Sequence, residues 1–218
     1  MAHKAKISKQ SAAELAVILQ EGVGRMKLQI TPPVQSRLLA YVSLLVKWNQ
    51  VFNLTAIHDP QQMVIRHLLD SLSLVPYIRG PRLVDVGSGA GLPGIPLALA
   101  FPEHEVVLLD SQAKKIRFIT QVVADLGIPN ILIAHTRVED YHPQQMFDTV
   151  ISRAFATLME FAGATQHLCR GGGYMLAMKG KFPQNELDEI HKTGRKIDVI
   201  PVQVPGLDAQ RHIIKMSC

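Results

Sequence analysis

Beyond residue 82, short apolar runs alternate with longer segments in which apolar residues recur at helical spacing. Apolar runs of about four to eight residues between turn residues are typical of buried strands, whereas apolar residues three and four apart are typical of amphipathic helices. The predicted strands span residues 83–86, 105–109, 131–134, 149–152, 174–178, 197–204 and 212–216. The predicted helices span residues 95–101, 113–126, 158–168 and 183–193. This alternation predicts an α/β fold with a mostly parallel sheet covered on both faces, and the last two strands predict an antiparallel C-terminal edge.

The first 80 residues carry only helical patterns. Three helices are predicted, each from a start signal: Ser11 with Glu14 opens one to about residue 22, Thr31 with Pro32 and Pro33 opens one to about residue 50, and Asp59 with Pro60 opens one that ends before Pro76. We therefore expect a helical N-terminal cap over residues 1–80, docked on a core of residues 81–218 as one compact unit. The lysine-rich residues 1–10 are expected to be a mobile basic leader.

Residues 83–94 contain the most informative motif of the chain. A short apolar run leads into a stretch with four glycines and then into an apolar helix, which together predict a cradle of backbone N–H groups for a nucleotide-like ligand. A dinucleotide fingerprint requires a third glycine at position 92, where Leu92 stands. The motif present, with Gly87, Gly89 and Gly91 preceded by Asp85, resembles the first motif of class I methyltransferases, which bind S-adenosylmethionine. A turn without a ligand and an NAD-type site remain as alternatives.

Further polar residues follow the predicted strands. Asp110 ends the second strand, where an acidic residue accepts hydrogen bonds from ribose hydroxyls; the alternative is an ordinary polar strand end. Val138 and Glu139 follow the third strand, where they could hold an adenine edge or form a solvated turn. Arg153 closes the fourth strand, and a cation at this depth requires an anionic partner.

Three partners are open for Arg153: the methionine carboxylate of the cofactor, the substrate, or an ion pair with Asp148 or Glu160. Two further cations, Lys179 after the fifth strand and Arg211 in the C-terminal turn, could add positive charge around the same rim.

The chain has a formal net charge of +5, which favours a polyanionic partner such as RNA or DNA. No apolar run approaches the roughly 20 residues of a membrane span, so a membrane partner is not expected. Cys169 and Cys218 are far apart and form no CxxC motif, which predicts neither a disulfide nor a zinc site. These features fit the cytoplasm.

His67 and Asp70, on one turn of the third helix, are expected to have a structural capping or pairing role.

No arrangement of residues predicts a nucleophile, a general base or a metal site. The motif typical of amino-group methyltransferases is absent after the fourth strand, where Ser152, Arg153, Ala154 and Phe155 stand instead. A target atom that is already nucleophilic is therefore expected, and no catalytic side chain is assigned.

One family combines these motifs. The residues that match it are Lys47-Trp48-Asn49, Asn53-Leu54-Thr55, Arg66-His67-Leu68-Leu69-Asp70-Ser71, the run from Asp85 to Pro96 that includes GLPGIP, Leu109-Asp110-Ser111, Arg137-Val138-Glu139 and Ile151-Ser152-Arg153-Ala154-Phe155. Over residues 35–215 the chain resembles the small-subunit rRNA methyltransferase G family, also called glucose-inhibited division protein B.

The resemblance implies a seven-stranded class I methyltransferase core that transfers a methyl group from S-adenosylmethionine to guanine N7 in 16S rRNA, at position 527 of the 530 loop. It implies cofactor contacts at Gly87, Leu92, Val138, Glu139 and Arg153. The substrate would be 16S rRNA or the 30S subunit, and we expect a monomer. For the RNA side of the site the candidates are Arg153, Lys179 and Arg211. The alternative is a class I methyltransferase for a small molecule or a protein.

Overall fold

The computed structural model describes residues 9–153 and 155–218, with side chains from residue 11 onward. Its centre is a seven-stranded sheet in the order β3-β2-β1-β4-β5-β7-β6. The strands are β1 Arg82–Val86, β2 Glu105–Asp110, β3 Ile131–His135, β4 Phe147–Ser152, β5 Cys169–Lys179, β6 Ile197–Pro201 and β7 His212–Ser217. Strands β1 to β5 are parallel, and β7 runs antiparallel between β5 and β6. The predicted mostly parallel sheet with an antiparallel C-terminal edge is confirmed.

Helices precede the sheet and connect its strands. The α-helices are α1 Lys9–Arg25, α2 Pro32–Phe52, α3 Pro60–Met63, α4 Asp70–Leu72, α5 Gly94–Ala100, α6 Ala113–Leu126, α7 Leu158–Thr165 and α8 Gln184–His191. A π-helix, Val64–Leu69, joins α3 to α4, so the predicted third helix is continuous but changes its winding. Its start signal is confirmed, because Asp59 accepts a hydrogen bond from the backbone N–H of Gln62.

Several predicted boundaries differ from the structure by two to five residues, and two of these differences change the role of a residue or segment. Helix α1 begins at Lys9, so Ser11 lies inside the helix instead of capping it, and only residues 1–8 of the expected leader lie outside the described residues. Strand β5 begins at Cys169, five residues before the predicted start, although glycines at 171–173 have low strand propensity. A register shift against β4, between Phe147 and Thr149, accommodates this glycine run.

The structure also corrects the prediction for the cysteines, since Cys169 and Cys218 form a disulfide with a Cα–Cα distance of 5.9 Å. Cys169 opens β5 and Cys218 follows β7, which pairs with β5 as far as Tyr174 and Ser217. The sequence separation of 49 concealed this contact, because only the antiparallel pairing of β5 and β7 brings the two cysteines together.

The N-terminal helices pack against α5 and α6 through one apolar core. Tyr41 of α2 is fully buried, and its hydroxyl donates a hydrogen bond of 2.9 Å to the carbonyl of Ala90 in the glycine-rich loop. Arg37 of α2 donates to the carbonyls of Leu126 and Gly127 at the end of α6. Helix α2 thereby fixes the loop that follows β1. The division into a cap and a core at residue 80 remains a prediction. Among the described residues, no helix is long and apolar enough to cross a membrane.

Candidate cofactor and substrate site

The glycine-rich loop joins β1 to α5 and presents bare backbone to the surface. Gly87, Gly89 and Gly91 have φ angles of +70°, +59° and +84°, a region that L side chains rarely adopt. A Cβ at Gly91 would collide with Ile95 of α5, whereas a Cβ at Gly89 would have no protein atom nearer than the carbonyl oxygen of Gly87, at 3.9 Å. The sequence predicted such a cradle, and the structure places Gly87 and Gly89 beside two adjoining cavities.

Asp85 lies beneath this loop and is fully buried. Its Oδ2 accepts a hydrogen bond of 2.8 Å from the backbone N–H of Gly94, the first residue of α5. Burial raises the pKa of Asp85 to about 7, although the Gly94 hydrogen bond and Arg153 partly oppose this. Asp85 lines none of the cavities described below. The structure therefore places this predicted cofactor residue where it holds the loop against α5.

The first cavity, of about 500 Å³, lies at the carboxyl ends of β1, β2 and β3. Asp110 faces it from the end of β2, and its carboxylate accepts hydrogen bonds of 2.8 Å from the backbone N–H groups of Gly89 and Gln112. Val138 and Glu139 line the far side, on a short 3₁₀ turn after β3. These predicted residues, which come from three separate parts of the sequence, thus share one cavity with Gly87.

The second cavity, of about 190 Å³, adjoins the first, because Gly87, Gly89 and Lys115 line both. Leu92 and Arg153 line this second cavity and lie outside the first. Thr55 and His67, from the N-terminal helical region, complete its wall. The predicted cofactor residues therefore divide between two connected cavities.

Arg153 contacts a partner that the sequence did not suggest. Nη1 of its guanidinium lies 3.6 Å from Oδ2 of Asp70, which is close enough for an ion pair. This buried nitrogen donates no hydrogen bond to any described residue. The predicted alternatives are taken by other groups, since Asp148 pairs with Arg170 and Glu160 caps α7. A guanidinium that retains its donors at a cavity wall is ready to bind an anion.

A third cavity, of about 310 Å³, lies beyond Arg153 and His67. We call it the cationic cavity; its charged and polar lining residues are Arg66, His67, Asp70, Arg153, Lys179 and Arg211. Asp70 also pairs with Arg211, whose Nε donates to Oδ1 at 3.0 Å. The three residues predicted for the RNA side, Arg153, Lys179 and Arg211, are thus brought together. Lys179 is less available, because it pairs with Glu186 at 2.9 Å.

His67 and Asp70 were given only a structural role from the sequence, and the structure places both in cavity walls. Each is buried, on a helical segment whose other buried residues are apolar apart from Ser71. Nδ1 of His67 lies 3.2 Å from the carbonyl oxygen of Arg66, so that nitrogen donates and Nε2 accepts from the Thr55 hydroxyl at 3.0 Å. Burial and the nearby Arg153 lower the pKa of His67 to about 4. The only sequence signal was that both residues lie on one turn of a helix whose other marked positions are apolar.

The three connected cavities suit a sulfonium nucleoside cofactor. Bare backbone at Gly89 lets a ligand approach closely, and the Asp110 carboxylate retains lone pairs for ribose hydroxyls. Arg153, whose Nη1 is ion-paired with Asp70 but makes no hydrogen bond to a residue that the structure describes, suits the carboxylate of an amino acid moiety. Within the described residues, no group of three or more His, Cys, Asp or Glu side chains could hold a metal ion.

The strand order and the position of this loop define the fold of the class I methyltransferases, which use S-adenosylmethionine. A solved structure of a SAM-dependent methyltransferase from Aquifex aeolicus is similar, with a TM-score of 0.58 and 16% identity, over 73% of this chain and 94% of that one. At this identity the likeness concerns the fold alone.

The sequence is more specific. Residues 34–214 match the GidB family, rRNA small subunit methyltransferase G. The chain is 49% identical over 199 residues to "Ribosomal RNA small subunit methyltransferase G" of Nitrosococcus oceani, covering 91% of this chain and 93% of the relative. A relative of the same name from Chromobacterium violaceum is also 49% identical over 199 residues, covering 91% and 95%. The chain belongs to the GidB family of methyltransferases, which confirms the resemblance.

Proposed function

We infer that this protein transfers a methyl group from S-adenosylmethionine to N7 of a guanosine in 16S rRNA, at position 527 of the 530 loop. The products are 7-methylguanosine and S-adenosylhomocysteine. The observation that carries this proposal is the family match over residues 34–214, a segment that contains every residue lining the three connected cavities.

The cavities suggest how the cofactor is held. In this proposal Asp110 accepts hydrogen bonds from the ribose, and Val138 and Glu139 hold the adenine in the first cavity. Arg153 binds the methionine carboxylate in the second cavity, beside Leu92 and the backbone of Gly87 and Gly89. Asp85 acts on this site indirectly, because its hydrogen bond to Gly94 fixes the loop.

The chemistry requires no general base. Guanine N7 has an in-plane lone pair and carries no proton, and the cofactor supplies an electrophilic methyl group on a positively charged sulfur. The protein's contribution is to align the two reacting atoms and to exclude water, which can account for a large part of the rate. His67 and Lys115 lie at the second cavity, yet neither is needed to remove a proton.

The substrate and its setting are also proposals. The net charge of +5 and the cationic cavity favour RNA as the partner. We propose that the substrate is 16S rRNA or the 30S subunit, that the protein acts as a monomer and that it works in the cytoplasm.

A methyl-transfer assay tests the function. The protein and labelled S-adenosylmethionine are incubated with 30S subunits, or with deproteinised 16S rRNA, from a strain that lacks this modification. We expect label in 7-methylguanosine after digestion and chromatography, and the modified position is mapped by strand cleavage at that base. Label that survives ribonuclease treatment in a protein or a small molecule would instead assign another substrate. Absence of label in RNA despite cofactor binding would disprove the substrate assignment.

A further inference from the structure

The cationic cavity carries more positive charge than its own carboxylate can balance. Lys179 is paired with Glu186, which leaves Arg66, Arg153 and Arg211 against the single charge of Asp70. Three guanidinium groups around one carboxylate leave two positive charges without an anionic partner among the lining residues, and one of these remains when Arg153 binds the carboxylate of the cofactor. Such an excess, partly shielded from water, favours an anionic ligand.

The arginines also retain hydrogen-bond donors. Nε of Arg211 donates to Asp70, and its Nη1 donates to the carbonyl of Gln210 at 2.9 Å, while Nη2 has no acceptor in the described part of the chain. Nε of Arg66 donates to the side chain of Gln62 at 2.9 Å, and its two terminal nitrogens have no acceptor among the same residues. Planar forks of donors with this geometry match the oxygens of a phosphate.

The position of the cavity identifies the source of the phosphate. The cationic cavity shares Arg153 and His67 with the second cavity, next to the glycine-rich loop. When a base of the RNA reaches the methyl donor, the phosphates of that nucleotide and of its immediate neighbours must lie close to the same site. The cationic cavity is the adjoining place with unpaired positive charge.

We propose that the cationic cavity binds a backbone phosphate of the substrate RNA through Arg211 and Arg66, and that Asp70 is the positioning residue of this site. The proposal rests on the proposed function and adds a specific phosphate contact to it. Asp70, which is 5% exposed, forms ion pairs with Arg153, which follows β4, and with Arg211, which precedes β7. It fixes the side chain of Arg211 beside Arg153 and reduces the repulsion between the two cations.

The test compares Arg211→Gln and Arg211→Lys with a matched control, Arg195→Gln. Arg195 lies before β6 and donates to the carbonyl of Ser217, at the end of β7 that is far from Arg211, and to the side chain of Gln166. The control removes the same charge away from the cavity. For each variant, kcat, the KM for 30S subunits, the Kd for S-adenosylmethionine and the Kd for deproteinised 16S rRNA are measured at several salt concentrations.

We expect Arg211→Gln to raise the KM and the Kd for RNA by about tenfold or more, with kcat and the cofactor Kd changed less than about twofold. The slope of log affinity against log salt should fall by about one, as expected for one lost phosphate contact. Arg211→Lys should recover part of the loss, and Arg195→Gln should stay within about twofold of the wild type.

The role of Asp70 is tested in the same way. Asp70→Asn should raise the KM for RNA by a larger factor than the Kd for S-adenosylmethionine, which it affects only through the ion pair with Arg153, and Asp70→Glu should recover part of the loss. If the carboxylate of Asp70 had only a structural role, its loss would lower the thermal midpoint of unfolding and leave the KM of the folded variant unchanged.

Two results would overturn the proposal. If Arg211→Gln behaves like Arg195→Gln, the cavity binds no RNA phosphate. If Arg211→Gln weakens cofactor binding and leaves RNA binding unchanged, the anion in this cavity is the cofactor's carboxylate. Failure of the wild-type protein to methylate RNA would count against the proposed function instead, and the RNA-binding comparison would still decide the fate of the phosphate site.

Discussion

The carboxylate of Asp85 and the backbone N–H of Gly94 lie 2.8 Å apart and close the glycine-rich loop from below. Asp85 does not line the three cavities described above. Its hydrogen bond links residues nine apart in sequence and joins the end of β1 to the first turn of α5. A Cβ at Gly94 would collide with Leu108 of β2, so α5 begins as close to the sheet as its backbone permits. The glycine-rich loop is thus held by a buried residue that lines neither of the cavities beside it.

Asp85→Asn should change how stability depends on pH. In the folded protein the pKa of Asp85 is about 7, against an ordinary value of 3.8, so the folded state keeps this proton while the unfolded state loses it. The stabilisation that Asp85 contributes to the folded state is therefore complete below about pH 4 and is lost as the pH rises to about 7. The loss is at most about 1.4 kcal/mol of unfolding free energy per pH unit.

The Asn variant lacks this titration. Its free energy of unfolding minus that of the wild type should therefore rise between pH 4 and 7 and stay constant above pH 7. Urea unfolding followed by the fluorescence of Trp48, the only tryptophan, measures the difference. A difference independent of pH would show that Asp85 is ionised throughout.

Gly89→Ala should separate the conformational role of the loop from its binding role. Gly127, the C-cap of α6, is a matched control, because its φ of +60° nearly equals the +59° of Gly89. A Cβ at Gly127 meets no protein atom within 4 Å, and one at Gly89 meets only the carbonyl oxygen of Gly87, at 3.9 Å. Both alanine variants should lose about 1 to 2 kcal/mol of stability, the cost of a left-handed non-glycine residue.

Only Gly89→Ala should weaken binding of S-adenosylmethionine, by about tenfold or more in calorimetry, because its methyl group would occupy space at the cavity. Equal cofactor affinities in the two variants would mean that the cofactor does not approach this loop.

His67 should remain neutral across the physiological range. Burial and Arg153 lower its pKa to about 4, and the unfolded chain takes up this proton near the ordinary value of 6.5. Stability from this group is therefore present above about pH 6.5 and is lost as the pH falls toward 4. The imidazole resonances of His67, assigned by comparison with His67→Gln, should not move in NMR spectra between pH 8 and 5.5. A midpoint near 6.5 would contradict the burial described here.

The disulfide between Cys169 and Cys218 should stabilise the C-terminal edge of the sheet. It joins two residues at a sequence separation of 49 and closes a loop that contains β5, α8, β6 and β7. Closing a segment of this length contributes about 2 to 4 kcal/mol in typical proteins.

In air-oxidised protein, adding dithiothreitol should lower the free energy of unfolding by that amount. Cys218→Ser should show the lower value with and without the reductant. Two titratable thiols in the oxidised wild-type protein would disprove the disulfide.

The sequence alone predicted the features that depend on neighbouring residues. The spacing of glycines after β1 predicted the loop, and the alternation of apolar runs and helical segments predicted the α/β sheet with its antiparallel edge. Because parallel strands present their carboxyl ends at one edge, Gly87, Asp110, Val138 and Arg153 could be expected to converge, and they do line two connected cavities.

Only the tertiary structure decided which distant residues meet. Asp70 pairs with Arg153 and Arg211, and the latter lies 141 residues further along the chain. Cys169 and Cys218 likewise meet only because β7 inserts beside β5. Periodicity and turn signals report forces that act over a few residues, whereas these contacts follow from how the N-terminal helices and the last strands pack on the sheet. The glycine loop could thus be recognised from its own sequence, and the cationic cavity could be recognised only after the chain had folded.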